Sequence, residues 1–261
     1  EGRQSASSWR GMPSGYLDNY YEQLPLYNPL WGYWDNQHIP VEQIRHRRVD
    51  QPLLRYDLIP VKARATVKPV TRLTFAQDFQ FGLSYLDVSL LVFYRPKSFF
   101  KVSATNFLRD GSAGSATAIN VNTYRVHFRH HLSDKIDLDF HYWQIRHDFN
   151  LASFPIISQI YDHNRVGHLL WHNFNYQPDS LQKIVLTPYL YQWSETVHRS
   201  ETVHTSDYSF QRKPSQYSIG FKGEISRKIG NLTLTGNGDI VRHDITKAFV
   251  FIKKGHLEGK L

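Results

Sequence analysis

From about residue 61 onward, apolar side chains recur at every second position, the period of an extended strand whose successive side chains point to opposite faces. Tyr124, Val126 and Phe128 alternate with Arg125, His127 and Arg129, and after a short turn Ile136, Leu138, Phe140 and Tyr142 alternate with Asp137, Asp139 and His141. The same rhythm runs through Leu86, Val88, Leu90, Val92 and Tyr94, and through Tyr217, Ile219 and Phe221 against Ser218, Gly220 and Lys222. It returns in Leu232 and Leu234 against Thr233, Thr235, Asn237 and Asp239. No segment carries a convincing helical period. The pattern predicts strands near 61–68, 71–79, 83–94, 98–108, 121–132, 135–148, 165–176, 183–195, 215–228, 231–243 and 246–254, and so an all-β fold.

The connections between these strands alternate in length. Arg95-Pro96-Lys97, Ser133-Asp134, Gln177-Pro178-Asp179-Ser180 and Ile229-Gly230 are tight, whereas 109–120, 149–164 and 196–214 read as long loops. Successive connections of an antiparallel meander lie at opposite ends, so tight turns gather at one end and long loops at the other, as in outer-membrane barrels. The alternation breaks at Gln80-Phe81-Gly82 and near Asp244, which look short where long loops are due. A soluble antiparallel sandwich or barrel would give the same alternation of side chains. Strand length and the aromatics near strand ends favour an antiparallel transmembrane β-barrel, complete or partial, with its apolar face toward lipid and its charged face toward a lumen.

Composition narrows the function classes. The 261 residues are 41% hydrophobic and 15% aromatic, enough to bury a core, and the absence of Cys removes disulfides, thiolate metal sites and thiol catalysis. No run of about eighteen apolar residues exists, so no helix is expected to cross a bilayer. Lys and Arg number 31 against 23 Asp and Glu, a formal charge of +8. These cations are spread over many strands and form no stripe, which argues against a nucleic-acid partner. Ser112-Ala113-Gly114-Ser115 lacks the strand-turn-helix setting of a nucleophile, and no phosphate-cradling glycine motif occurs. Neither an enzymatic activity nor a cofactor is expected. The chain opens at Glu1 and is expected to be processed or partial.

Residues 1–60 differ from the rest, with six prolines and few alternating runs, and predict compact irregular structure. Trp9-Arg10-Gly11-Met12-Pro13-Ser14-Gly15-Tyr16 is followed by Tyr20-Tyr21-Glu22-Gln23-Leu24-Pro25-Leu26-Tyr27-Asn28-Pro29 and then by Ile39-Pro40-Val41-Glu42-Gln43-Ile44. In order and spacing these resemble the plug domain of TonB-dependent outer-membrane receptors. Glu22-Gln23 stands where that family usually has Asp-Gly, and Gln51-Pro52-Leu53-Leu54 replaces its closing Arg-Gly-Pro run. The resemblance implies a plug-like segment over 1–60 and barrel strands over 61–261. Only ten or eleven strands fit against the family's barrel of about twenty-two, which makes the chain either a fragment ending mid-barrel or a smaller porin-like relative with a reduced plug. It marks Arg10, Gly11, Leu24, Pro25, Asn28, Pro29, Ile39 and Pro40 as structural plug-motif residues. It also implies the outer membrane of a Gram-negative bacterium, membrane lipid, a small ligand of unknown identity, and a TonB-type energy-transducing partner.

From the residues themselves, Arg125, His127 and Arg129 share one strand face and suggest a lumen-facing basic wall. The same side chains oppose Asp137 and Asp139 across a hairpin, and charge pairing is the favoured reading of the two. His127 or His131 with His141, His147 and Asp148 is a weaker metal candidate. Two other functions stay open at this level: a passive porin-like channel, and a soluble all-β carbohydrate-binding module using exposed Trp and Tyr.

Overall fold

The computed structural model describes residues 18–28, 34–40, 43–50, 55–61, 63, 68–80, 82–110, 117–151, 158–203, 206–230, 232–245 and 248–260. The period-two pattern becomes one antiparallel sheet of β5 (Val70–Asp78), β6 (Leu83–Arg95), β7 (Ser98–Asp110), β8 (Thr117–Ser133), β9 (Ile136–Leu151), β10 (Ser158–Tyr176), β11 (Gln182–Val203), β12 (Ser206–Arg212), β13 (Ser215–Ile229), β14 (Leu232–Ile245) and β15 (Ala248–Lys260). Neighbours in the chain are neighbours in the sheet, except that β12 covers the far end of β11 and β13 the near end. β12 and β13 are thus one strand interrupted at Lys213–Pro214, where Glu195 N–H donates to the Pro214 carbonyl. Proline has no N–H for the ladder, which accounts for the break. Among the described residues β5 and β15 each have a single partner strand, so the sheet does not close into a complete barrel.

The first expected strand is corrected: Val61, Ala63, Lys68 and Pro69 lie outside any strand. The three long loops are also corrected, because the backbone keeps pairing through much of them. β7 runs to Asp110 and β8 starts at Thr117; β9 runs to Leu151 and β10 starts at Ser158; β11 and β12 leave only 204–205 between them. Ile119, Val121 and Phe149 still point inward here, but the outer positions Asn120, Asn150, Asp162 and Asn164 are polar, so the apolar outer face of the other strands is lost. Asn106, Asn120 and Asn122 form an amide cluster on the outer face, and Arg146 pairs with Asp148 at 2.9 Å.

A second, smaller sheet precedes the large one, with order β2-β1-β4-β3: β1 (Asp18–Tyr21), β2 (Leu24–Leu26), β3 (Ile44–Asp50) and β4 (Arg55–Pro60). β1 and β4 are parallel, and the other pairs antiparallel. The β1–β2 turn places Glu22 at φ 56°, a left-handed conformation unusual for this residue. A single 3-10 turn, Asn36–His38, follows the Asp35 N-cap, whose Oδ1 accepts from Gln37 N–H. Ile39-Pro40 therefore follows this turn, with 41–42 outside the described residues.

One core joins the two sheets. Tyr21, Leu24, Leu26, Trp34, Ile39 and Leu58 pack against Trp143, Ile145, Leu169, Trp171, Tyr189, Tyr191, Trp193 and Val241. We call the face of the large sheet that meets the small one its inner face. The opposite, outer face exposes Leu73, Phe75, Phe128, Phe140, Ile219, Phe221, Ile225 and Ile240.

Candidate functional site

The interface between the two sheets holds nearly all of the buried polar chemistry, and the strand period explains why. On β8 and β9 the odd-numbered residues point inward, so Arg125, His127, Arg129, Asp137, Asp139 and His141 meet in one layer while Tyr124, Phe128 and Phe140 face out. Arg125 is buried and donates to Asp87 at 2.7 Å and to Ser103 at 3.0 Å. His127 lies 3.0 Å from Asp139, and Arg129 lies 2.9 Å from Asp137. Each member of the basic row thus faces a carboxylate, and the row reads as a matched charge lattice. His131 sits 2.6 Å from Asp137, Asp148 pairs with Arg146 on the outer face, and His147 stands apart beside Asp35 and His38. The set His127/His131–His141–His147–Asp148 accordingly does not converge on one point.

The small sheet reaches the wall at many places. Gln43 donates to Asp87 at 3.3 Å and accepts from Lys101 at 2.7 Å. Glu22, at its left-handed turn, lies within 3.5 Å of Asn173 and 3.6 Å of His141. Asn28 donates to Glu195 at 3.3 Å, Tyr191 donates its hydroxyl to the Pro25 carbonyl, and Tyr27 meets His243 at 3.2 Å. The Tyr20 ring lies between the Arg55 guanidinium and the Lys222 ammonium, each 4.2 Å from its centroid. Burial and the nearby Asp18 push the Tyr20 phenol up to about 12. These contacts run from β6 to β14. Eight strands at about 4.8 Å spacing span roughly 34 Å, more than a four-stranded sheet can cover flat, so the wall curves around the small sheet.

Of the residues singled out in the N-terminal motifs, Leu24 and Pro25 form buried β2, Asn28 holds Glu195, Ile39 belongs to the shared core, and the Pro40 carbonyl accepts from Gln43 N–H. Arg10, Gly11 and Pro29 lie outside the described residues.

The aromatic platform of Trp143, Trp171, Tyr191 and Trp193 is a feature that the strand period alone does not reveal. Its signal lies in Leu169-Leu170-Trp171 and Tyr189-Leu190-Tyr191, where apolar residues occupy both parities, as in a strand covered on both faces. Two glycines make room for it. A Cβ at Gly167 would stand 2.3 Å from the Trp193 ring, and one at Gly220 would stand 2.1 Å from Tyr189. Gly167 pairs with Trp193 and Gly220 with Tyr189 across adjacent strands, so each ring lies over a glycine.

A cavity of about 470 Å³ opens between the small sheet and β5–β9, lined by Glu22, Gln43, Arg72, Lys101, His127 and Arg129 among others. Nearer the opposite end, Asp35, His38 and His147 are all buried together. Burial, with His147 and Arg165 adding to it, holds the His38 imidazole well below its usual range and so neutral.

No protein-family model and no curated protein matches the chain. Solved structures do. The chain is similar to the copper transporter OprC, with a TM-score of 0.63 and 11% identity over 98% of this chain and 56% of that one. It is also similar to the ferric yersiniabactin uptake receptor FyuA from Yersinia pestis, with a TM-score of 0.56 and 9% identity over 94% of this chain and 52% of that one. The chain therefore spans about half the length of each. An all-antiparallel wall curved around a small mixed sheet, matched over nearly its whole length by such structures, gives this chain the fold of a TonB-dependent receptor, with part of its barrel.

Proposed function

We propose that this chain is part of an outer-membrane uptake receptor, in which the small sheet of residues 18–60 acts as a plug within the barrel and a ligand passes when the plug gives way. The observation that carries this reading is the shared core: four apolar residues of the small sheet, with Trp34 and Ile39 of segment 34–40, are buried against eight on the inner face of the wall. Irregular, Pro-rich backbone of this kind is tolerated at membrane depth only when a barrel shields it from lipid. The exposed outer-face residues form the apolar band that lipid requires, and the polar extensions beyond Asn122 and Arg146 mark where it ends. Tyr124, Tyr142 and Tyr217 stand along that border as an aromatic girdle.

The role is transport, with no catalysis, and a TonB-type protein supplies the pull on the N-terminal side. OprC and FyuA bear names of transport and uptake proteins, which supports the class and leaves the ligand of this chain to experiment. A passive channel fits less well, because an open pore would not dedicate its inner surface to a packed core. Two measurements test the reading on the full-length gene product. Outer-membrane partition and a mobility difference between boiled and unboiled samples are expected, whereas a soluble, unshifted protein overturns the barrel. In planar bilayers, deletion of 1–60 is expected to raise conductance well above that of the intact protein; equal conductance overturns the plug.

A further inference from the structure

We propose that Asp35, His38 and His147 form a three-ligand site for a divalent transition ion of the zinc class, which staples segment 34–40 to β9. Three observations converge on it. First, the ligands are set by local structure. The three-residue period of the 3-10 turn returns position 38 to the face of position 35. Oδ1 of Asp35 is engaged in capping Gln37, which turns Oδ2 toward the wall. His147 arrives from β9, where the strand alternation points it inward.

Second, the spacing is that of a coordination sphere. Nε2 of His38 and Nδ1 of His147 are 3.2 Å apart with their rings at 89°, and Nδ1 of His147 is 3.7 Å from Oδ2 of Asp35. Ligands about 2.0–2.1 Å from a tetrahedral ion stand roughly 3.3–3.4 Å from one another. The other His–Asp group lacks this geometry: His127 and His141 stack with centroids 3.9 Å apart and planes at 23°, so their nitrogen lone pairs run side by side.

Third, the surroundings suit a cation. Arg165 lies 3.8 Å from Asp35 and 3.0 Å from Glu195, so two carboxylates share one guanidinium, and His163 faces Glu195 at 3.3 Å. Trp34 and Trp193 pack against the His38 ring and keep bulk water away. Two imidazoles and a carboxylate are a donor set that suits zinc, cobalt, nickel and copper ions, with a fourth position left for water.

The ion would join two elements 109 residues apart in the chain, so its occupancy would set how readily segment 34–40 leaves the wall. That consequence rests on the plug reading; the site itself does not. The test uses the full chain in detergent, stripped with chelator and titrated with Co²⁺ alone. One equivalent is expected to bind with the intense visible absorption of a four-coordinate ion, and hydrogen exchange at 34–40 is expected to slow. His147→Gln and Asp35→Asn are each expected to weaken binding by more than the roughly 10–100-fold that follows loss of a hydrogen-bond partner behind a ligand. His127→Gln, in the other cluster, should bind Co²⁺ like wild type. Two variants, each checked for the unboiled gel mobility of the folded protein, guard against misfolding of one. No Co²⁺ uptake by wild type, wild-type uptake by both His147→Gln and Asp35→Asn, or unchanged exchange at 34–40 overturns the staple. Co²⁺ binding is read whether or not a pore opens, so its failure and that of the bilayer test are separate results.

Discussion

Gly167 and Gly220 lie on the inner face, and each is covered by an aromatic ring from the neighbouring strand. Adding one methyl group at either position forces the ring off its seat, and the ring carries the contact with the small sheet. Gly167→Ala is therefore expected to destabilise the protein by about 1–3 kcal/mol, the range for overpacking. Denaturant unfolding followed by tryptophan fluorescence measures this, and an unchanged midpoint would show that Trp193 has somewhere else to go. Asp87→Ala makes a stronger prediction, because it leaves the buried Arg125 guanidinium without its carboxylate. A loss of about 3–5 kcal/mol is expected from removing one partner of a buried pair, read from the same unfolding curves. Asp87→Asn, which keeps an acceptor for Arg125, should cost less.

Among the elements, the charge lattice is legible in the sequence alone: odd residues of β8 and β9 must share a face, and their signs alternate across the hairpin. The strands themselves are legible for the same reason, since an apolar outer face and a polar inner face impose strict alternation. What stays hidden obeys neither condition. The outer positions Asn120, Asn150, Asp162 and Asn164 of the extended strands are polar, and the platform around Trp171 is apolar on both faces, so neither keeps the apolar-out, polar-in pattern. The convergence of Asp35, His38 and His147 depends on how a short turn meets a strand 109 residues later, which no local spacing encodes. The small sheet also carries a pH prediction. Burial raises the Tyr20 phenol from 10.0 to about 12, so the folded state favours the neutral ring. Its contribution is complete below about pH 10 and is lost as pH rises through about 12, because the unfolded chain ionises first. Wild type should lose stability over that window more steeply than Tyr20→Phe; parallel curves for the two proteins would contradict this.

Across the whole molecule, the outer face separates into an apolar band and a polar rim, and the proposed membrane setting gives them different sensitivities. Phe221→Arg, within the band, is expected to cost about 2–4 kcal/mol for folding into vesicles, and Asn122→Arg, at the rim, about 0–1 kcal/mol. Similar costs at both would place the bilayer elsewhere. The span of the small sheet's contacts bears also on the order of events in folding. Most wall strands pair with the strand just before them, so those hairpins close short loops. The small sheet instead waits for partners far along the chain: Asn173 lies 151 residues from Glu22, Glu195 lies 167 from Asn28, and His243 lies 216 from Tyr27. Contacts of that separation carry the largest loop-closure cost and form late. On loop-closure cost alone, the hairpins assemble first and the small sheet settles last, so a segment translated before the wall reaches its native place after it.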